Sequence, residues 1–171
     1  MQVGYAASVA FSLGWDEELI QQFEATSNEM AILTTYLSDA TLDHEMVDAL
    51  EARPERITLC HASFEGVMPN RRLMHLRRDQ LEQVPSSSRR DRPILQPYWS
   101  SELSFSRGHF LLNVPYDRHA CGVDKQDEEM SMVIRAFTHG YDFYTPTKSV
   151  IFRYSDDKKH RNQSKQTECS S

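Results

Sequence analysis

The chain has 171 residues, of which 39% are hydrophobic and 26% charged, so it contains enough apolar side chains for the core of one globular domain. Its net charge of −6 argues against nucleic acid as a partner, because nucleic-acid binding needs a basic surface. No apolar run approaches the ~20 residues that span a bilayer, and no secretory signal is evident, so we expect no membrane segment.

Three cysteines, Cys60, Cys121 and Cys169, lie far apart without a C-x-x-C pair. This spacing is typical of reduced thiols rather than of a zinc or redox site. As it stands, the chain is expected to be cytoplasmic. A secretory location would require an anchor upstream of Met1.

The N-terminal part predicts a short edge strand or frayed end, residues 1–10, followed by an amphipathic helix, Gly14–Ala25. The acidic residues at 16–18 fall in the first turn of that helix, where the helix dipole favours anions. The apolar residues predicted to share its buried face are Trp15, Leu19, Ile20 and Phe23.

Next come a predicted strand, Ala31–Tyr36, a helix, Leu42–Leu50, and a second strand, Arg56–Ala62. Residues 70–92 are rich in arginine and serine, which predicts a mobile surface loop. Guanidinium groups there would suit a diphosphate or an acidic peptide, but they would equally suit a solvated loop that offsets the acidic helices. Order is expected to return at residues 97–105.

The most informative stretch runs from Val114 to Pro146. It contains the acidic triplet Asp127–Glu129 at the head of a helical run that ends near Gly140, a residue suited to a left-handed helix terminus. The apolar residues at i, i+3, i+4 and i+7, predicted to form the buried face, are Met130, Val133, Ile134 and Phe137.

Aromatic residues lie on both sides of this helix in sequence: Tyr116, Tyr141, Phe143 and Tyr144. Carboxylates beside aromatic rings are what a sugar-binding cleft requires. The alternative is that the carboxylates are only helix caps and the aromatics only core residues. Sequence pattern alone does not separate these two interpretations.

The order of motifs resembles a known family. The VPYD turn at 114–117, an acidic pair at 128–129, an arginine at 135 and the T-H-G-Y-D-F-Y-T-P run at 138–146 are similar to the retaining N-acetylglucosaminyltransferases that modify hydroxyproline or threonine. Upstream segments that follow the same order are LGWDEELIQQF at 13–23, AILTTY at 31–36, ITLCHASFEG at 57–66 and PYWSSELSFSRG at 97–108.

The resemblance implies an α/β fold, a GT-A-like mixed sheet with flanking helices, without the N-terminal nucleotide-binding strands that precede these motifs in the family. Residues 1–154 would then be a partial transferase domain, and residues 155–171, which are polar and charged, a disordered tail. The implied activity is transfer of N-acetylglucosamine from a UDP-sugar donor to a hydroxyl of a protein acceptor.

Glu128 and Glu129 are the catalytic candidates, since carboxylates orient hydroxyls and stabilise positive charge on a sugar ring. The predicted substrate-binding residues are Trp99, Tyr116, Arg135, Tyr144 and Arg153. Arg135 is expected either to pair with the acidic triplet or to be a surface cation on the helix.

The sequence departs from the family pattern at its metal site, where the family would use Mn²⁺ or Mg²⁺. Ala6 and Ser8 stand where the resemblance would place ligands, and Arg153 replaces a histidine. Alanine has no donor atom and a neutral hydroxyl is a poor ligand, so we expect no metal site. In addition, Glu102 and Asp127 replace family glycines.

Two interpretations of these departures remain open. In one, the protein is a transferase in which Arg153 takes over the role of the cation, because guanidinium groups bind phosphate directly. In the other, it is a non-catalytic scaffold that binds a peptide or glycan in a cleft around Trp99, Tyr116 and Tyr144.

Overall fold

The computed structural model describes residues 2–3, 9–40, 56–60, 62–68, 71–76, 82–84, 92–117 and 125–154. The predicted helix Leu42–Leu50, the predicted tail at 155–171, and the positions Ala6 and Ser8 lie outside these ranges.

Among the described residues, a long run of strands separates the first helix from the second. The helices are α1 (Trp15–Ala25), α2 (His109–Asn113) and α3 (Lys125–Thr138). The strands are β1 (Gln2–Val3), β2 (Val9–Phe11), β3 (Ala31–Thr35), β4 (Ser38–Ala40), β5 (Arg56–Thr58), β6 (Ala62–Met68), β7 (Arg71–Leu76), β8 (Glu82–Val84), β9 (Ile94–Gln96), β10 (Leu103–Ser106), β11 (Asp142–Thr145) and β12 (Ile151–Tyr154).

The main sheet has five strands in the order β1-β10-β3-β11-β9. It is mixed, because β11 runs parallel to β3 while its other neighbouring strands are antiparallel. A second sheet places β12 between β2 and β4, and two strand pairs, β5-β8 and β6-β7, complete the described topology. This confirms the predicted α/β fold with a mixed sheet.

Strand β3 is buried along its whole length, and its side chains alternate between two cores. Ile32 packs with Trp99, Phe143 and residues of α2 and α3, on what we call the α3 face of the sheet. Leu33 packs with Leu19, Phe23 and residues of β12, on what we call the α1 face. The central sheet is therefore covered on both sides.

The predicted buried face of α3 was wrong in its rotation. Ile134 and Phe137 are 59% and 71% exposed, whereas Met132 and Ala136 are buried. The buried face has the same i, i+3, i+4, i+7 spacing, at positions 129, 132, 133 and 136. Because two of these residues are a glutamate and an alanine, a count of large apolar residues favoured the neighbouring face. The helix also begins at Lys125, before the acidic triplet.

Helix α1 shows a similar shift. Leu19 and Phe23 are buried as expected, but Ile20 is half exposed and Gln22 is buried in its place. The side chain of Gln22 accepts a hydrogen bond from the backbone N–H of Thr147, which compensates for burying the amide. The left-handed terminus at Gly140 is confirmed by its φ of +83°.

The predicted loop at 70–92 was wrong where the chain forms β7 and β8. Strand β7 pairs with β6 in an antiparallel register from Ala62↔Leu76 to Met68↔Arg71. Backbone hydrogen bonds to β6 therefore make this segment a strand, although its arginine content had suggested a loop. The predicted strand Arg56–Ala62 is divided between β5 and β6. Helix α2 was not predicted.

Candidate functional site

Glu129 is a fully buried carboxylate in the first half of α3, with 0% of its surface exposed. Its Oε1 accepts hydrogen bonds from the backbone N–H and the hydroxyl of Ser101, both at 2.9 Å, and from the Ser100 hydroxyl at 3.4 Å. Its Oε2 accepts one from the Tyr36 hydroxyl at 3.4 Å. These donors compensate the burial of the charge.

The turn that supplies those donors, residues 99–102 between β9 and β10, is itself held by the sheet. The Thr34 hydroxyl accepts a hydrogen bond from the Ser100 N–H at 2.9 Å and donates one to the Ser100 carbonyl oxygen at 3.1 Å. The Trp99 indole N–H donates to the Ser104 hydroxyl at 2.9 Å. Glu129 is therefore anchored to a rigid turn, and in this arrangement its carboxylate does not reach solvent.

Glu128, the residue before Glu129 on α3, is only partly buried and lies near Tyr116. The Tyr116 ring packs edge-on against Trp99, with their ring centroids 6.3 Å apart. Burial raises the pKa of Tyr116 to about 12, with further contributions from the nearby Glu128 and Glu129 carboxylates. We call Glu128, Tyr116 and the underlying Trp99 the Tyr116 surface.

Arg135 lies on α3, one to two turns beyond Glu128 and Glu129. Its guanidinium donates a hydrogen bond to the Pro115 carbonyl oxygen, the residue immediately before Tyr116. The structure thus connects Arg135 to the backbone of the Tyr116 surface. The predicted pairing with the acidic triplet does not appear among the contacts of the described residues.

Arg153 and Glu102 form an ion pair, with 2.6 Å between the Arg153 Nη2 and the Glu102 Oε2. The Glu102 carboxylate is almost fully buried and also accepts a hydrogen bond from the Leu37 N–H. The Arg153 side chain is 35% exposed. Two of the residues that depart from the family pattern in sequence therefore contact each other.

Tyr144 lies on the opposite face of the sheet from Trp99 and Tyr116. It packs in the α1-face core, and its hydroxyl accepts a hydrogen bond from the Asn28 amide at 3.4 Å. Its neighbour Phe143 packs on the α3 face, because adjacent side chains of a strand point to opposite sides. The predicted cleft formed jointly by Trp99, Tyr116 and Tyr144 is wrong for this reason.

The divalent cation implied by the resemblance does not fit the environment of Arg153. A guanidinium carries positive charge and offers no lone pair to a metal, and here its counterion is Glu102. Within the described ranges, no group of three or more His, Cys, Asp or Glu side chains is arranged to hold a metal ion. Ala6 and Ser8 lie outside those ranges.

Sequence reasoning missed the residues that bury Glu129 and Glu102, above all Tyr36 and the Ser100–Ser101 pair. Their signal was present but weak: small hydroxyl residues follow Trp99, and a tyrosine ends the strand-like Ala31–Tyr36 segment. In the described part of the chain, no helix is both long and apolar enough to cross a bilayer.

Comparison with known proteins gives one match. A family model described as "Glycosyltransferase (GlcNAc)" matches residues 6–169. No curated protein and no solved structure matches the chain. The matched range includes every residue of the Tyr116 surface, the Glu129 anchor and the Glu102–Arg153 ion pair.

Proposed function

Since this chain belongs to the glycosyltransferase (GlcNAc) family, we propose that it transfers N-acetylglucosamine from UDP-GlcNAc to a protein hydroxyl, that of hydroxyproline or threonine. Family membership implies a sugar donor and an acceptor. The Tyr116 surface is where the acceptor hydroxyl and the sugar ring meet the protein.

The observation that carries this proposal is that two adjacent carboxylates differ in exposure. Glu129 is fully buried by four hydrogen bonds, whereas Glu128 is partly exposed beside Tyr116. Glu128 is therefore the carboxylate that can touch a ligand. There it orients the acceptor hydroxyl or stabilises the positive charge that develops on the sugar ring.

Tyr116 complements Glu128 as a hydrogen-bond donor. The Tyr116 phenol is protonated at neutral pH and can donate to a sugar or peptide oxygen; its pKa, raised to about 12 by burial and the nearby carboxylates, keeps it protonated in alkaline solution as well. Its ring lies edge-on to Trp99, which limits the orientations open to the hydroxyl. Glu129 does not contact the ligand, but its hydrogen bonds connect α3 to the turn that carries Trp99.

A second candidate function, binding without transfer, is favoured by the Glu102–Arg153 ion pair. The charge of Arg153 is already neutralised by a buried carboxylate 2.6 Å away, so it is poorly placed to stabilise a departing diphosphate. A scaffold that recognises a hydroxylated peptide or a glycan through the Tyr116 surface would need no such stabilisation.

Mass spectrometry of hydroxyproline and threonine peptides incubated with UDP-GlcNAc tests the transferase proposal. We expect addition of one N-acetylhexosamine, with no increase when Mn²⁺ is added. Glu128→Gln should lower the rate by about 100-fold, the usual scale for a positioned acid-base group, while Glu24→Gln on the exposed side of α1 should not change it.

Calorimetric titration with peptide and with UDP-GlcNAc separates the two candidates. Peptide or glycan binding without transfer would support the scaffold and refute the transferase. Tight UDP-GlcNAc binding that requires Mn²⁺ would refute the expectation that the protein has no metal site.

A further inference from the structure

We propose that Tyr141 is a positioning residue for Tyr116. Tyr141 holds helix α2 in place, and α2 ends shortly before Tyr116 in the chain. This inference rests on the proposed function, in which Tyr116 contacts the ligand. It assigns a role to a buried hydroxyl and to a short helix that the ligand itself does not contact.

Three side chains of α2 contact the single ring and hydroxyl of Tyr141, which is 1% exposed. The Tyr141 hydroxyl lies 2.7 Å from His109 Nδ1 and accepts a hydrogen bond from the Asn113 amide at 3.0 Å. The Phe110 ring packs edge-on against the Tyr141 ring, with centroids 5.0 Å apart. Residues 109, 110 and 113 lie on one helical face, so α2 docks as a unit.

This docking matters because α2 is too short to hold its position alone. A five-residue helix makes few internal hydrogen bonds, and both residues after Phe110 are largely solvent-exposed leucines. Tertiary contacts must therefore fix it, and Tyr141 supplies both a ring contact and two polar contacts. The buried hydroxyl would cost free energy if its partners left, so the contact is also specific.

The chain leaves α2 at Asn113 and reaches Tyr116 after two intervening residues. Val114 is buried in the α3-face core, and its N–H donates to the Phe110 carbonyl oxygen at 2.8 Å. The Pro115 carbonyl oxygen accepts a hydrogen bond from Arg135 of α3. Tyr116 is thus held on its N-terminal side by two anchors: Tyr141, the residue just before β11, and Arg135 on α3.

The two anchors act through different contacts, although the Tyr141 N–H also donates a hydrogen bond to the Ala136 carbonyl oxygen of α3 at 3.1 Å. Tyr141 begins the return from α3 to the sheet, whereas Arg135 projects from α3 itself. If both serve to position Tyr116, weakening either should produce the same local change at Tyr116. A residue that only stabilised the fold would not produce that shared signature.

Nuclear magnetic resonance of protein with labelled tyrosine and tryptophan rings tests the proposal. We expect Tyr141→Phe, which removes only the hydroxyl, to abolish the Overhauser contact between Tyr116 and Trp99 and to lower the Tyr116 pKa from about 12 toward its ordinary value of about 10. Arg135→Met should do the same. Tyr144→Phe, which removes a hydroxyl from β11 on the other face of the sheet, should change neither.

An unchanged ring contact and unchanged Tyr116 titration in folded Tyr141→Phe would overturn the proposal, even if the melting temperature falls. If Tyr141→Phe does not fold, Asn113→Ala, which removes a hydrogen bond from α2 to the Tyr141 hydroxyl, decides by the same two measurements. Neither measurement uses a ligand, so failure of the transferase proposal leaves this test intact. With a ligand in hand, both variants should weaken its binding about tenfold, a change of about 1.4 kcal/mol in binding free energy.

Discussion

Removing the guanidinium of Arg153 should destabilise the protein far more than removing an exposed cation. In Arg153→Met, Glu102 would remain almost fully buried with its charge, and of its contacts described above only the hydrogen bond from the Leu37 N–H would remain. Breaking a buried ion pair from one side typically costs ~3–5 kcal/mol. Because the Arg153 side chain is 35% exposed, we discount this to about 2–3 kcal/mol.

The reverse change should cost less. In Glu102→Gln the amide oxygen can still accept from Leu37 or from Arg153, and the guanidinium left behind reaches solvent, so we expect about 1 kcal/mol. The double variant should cost less than the sum of the two single changes, with a coupling of about 1–2 kcal/mol.

Urea unfolding of the four proteins, monitored by circular dichroism, measures these differences. Lys148→Met is the matched control, because it breaks the Lys148–Glu18 ion pair, whose side chains are 46% and 23% exposed. That change should cost less than about 1 kcal/mol. If Arg153→Met costs no more than Lys148→Met, or if the double variant is additive, the interpretation of Glu102–Arg153 as a buried, coupled pair is refuted.

Four further outcomes can be measured. The unfolding free energy should fall as pH rises from about 10 to 12. In that range Tyr116 stays neutral in the folded state, where its pKa is raised, but ionises in the unfolded chain. In urea titrations at alkaline pH, Tyr116→Phe should remove that part of the decline. Glu129→Gln should lower stability by about 2 kcal/mol, since an amide group would face several hydrogen-bond donors; an unchanged urea midpoint would contradict the buried anchor. Gly140→Ala should cost about 1 kcal/mol in the same assay through its φ of +83° alone, because no atom lies within 4 Å of the added Cβ. Met132→Ala should cost about 3 kcal/mol and Phe137→Ala less than about 0.5 kcal/mol; equal costs would contradict the rotation of α3.

The sequence predicted the class of fold well because its strongest local signals agree with the tertiary structure. Helix α1, strand β3 and the left-handed Gly140 follow from periodicity, β-branched content and capping. The same local reasoning placed α3 correctly but rotated it, because it assumed that a buried face contains no carboxylate. Hydroxyl donors more than 25 residues away in sequence make Glu129 an exception.

The candidate site was predicted in its residue types more than in its arrangement. Glu128, Tyr116 and Trp99 do lie together, but Tyr144 lies across the sheet, a consequence of strand alternation that requires knowing which face each core occupies. The contact between Arg153 and Glu102 joins residues 51 positions apart, and local sequence pattern carries no information about such a pair. Strand β7 was missed because its sequence, RRLMHL, has no alternating pattern, and its pairing with β6 defines it.

The order of strands in the main sheet also determines when this protein can fold during synthesis. Strand β3, at residues 31–35, lies between β10 and β11, which emerge from the ribosome only after residues 103–106 and 142–145 have been translated. Its fully buried segment must therefore wait for these later segments before it gains either neighbour. Such long-range pairing makes folding slow and leaves this apolar segment exposed to aggregation until β10 and β11 have been synthesised.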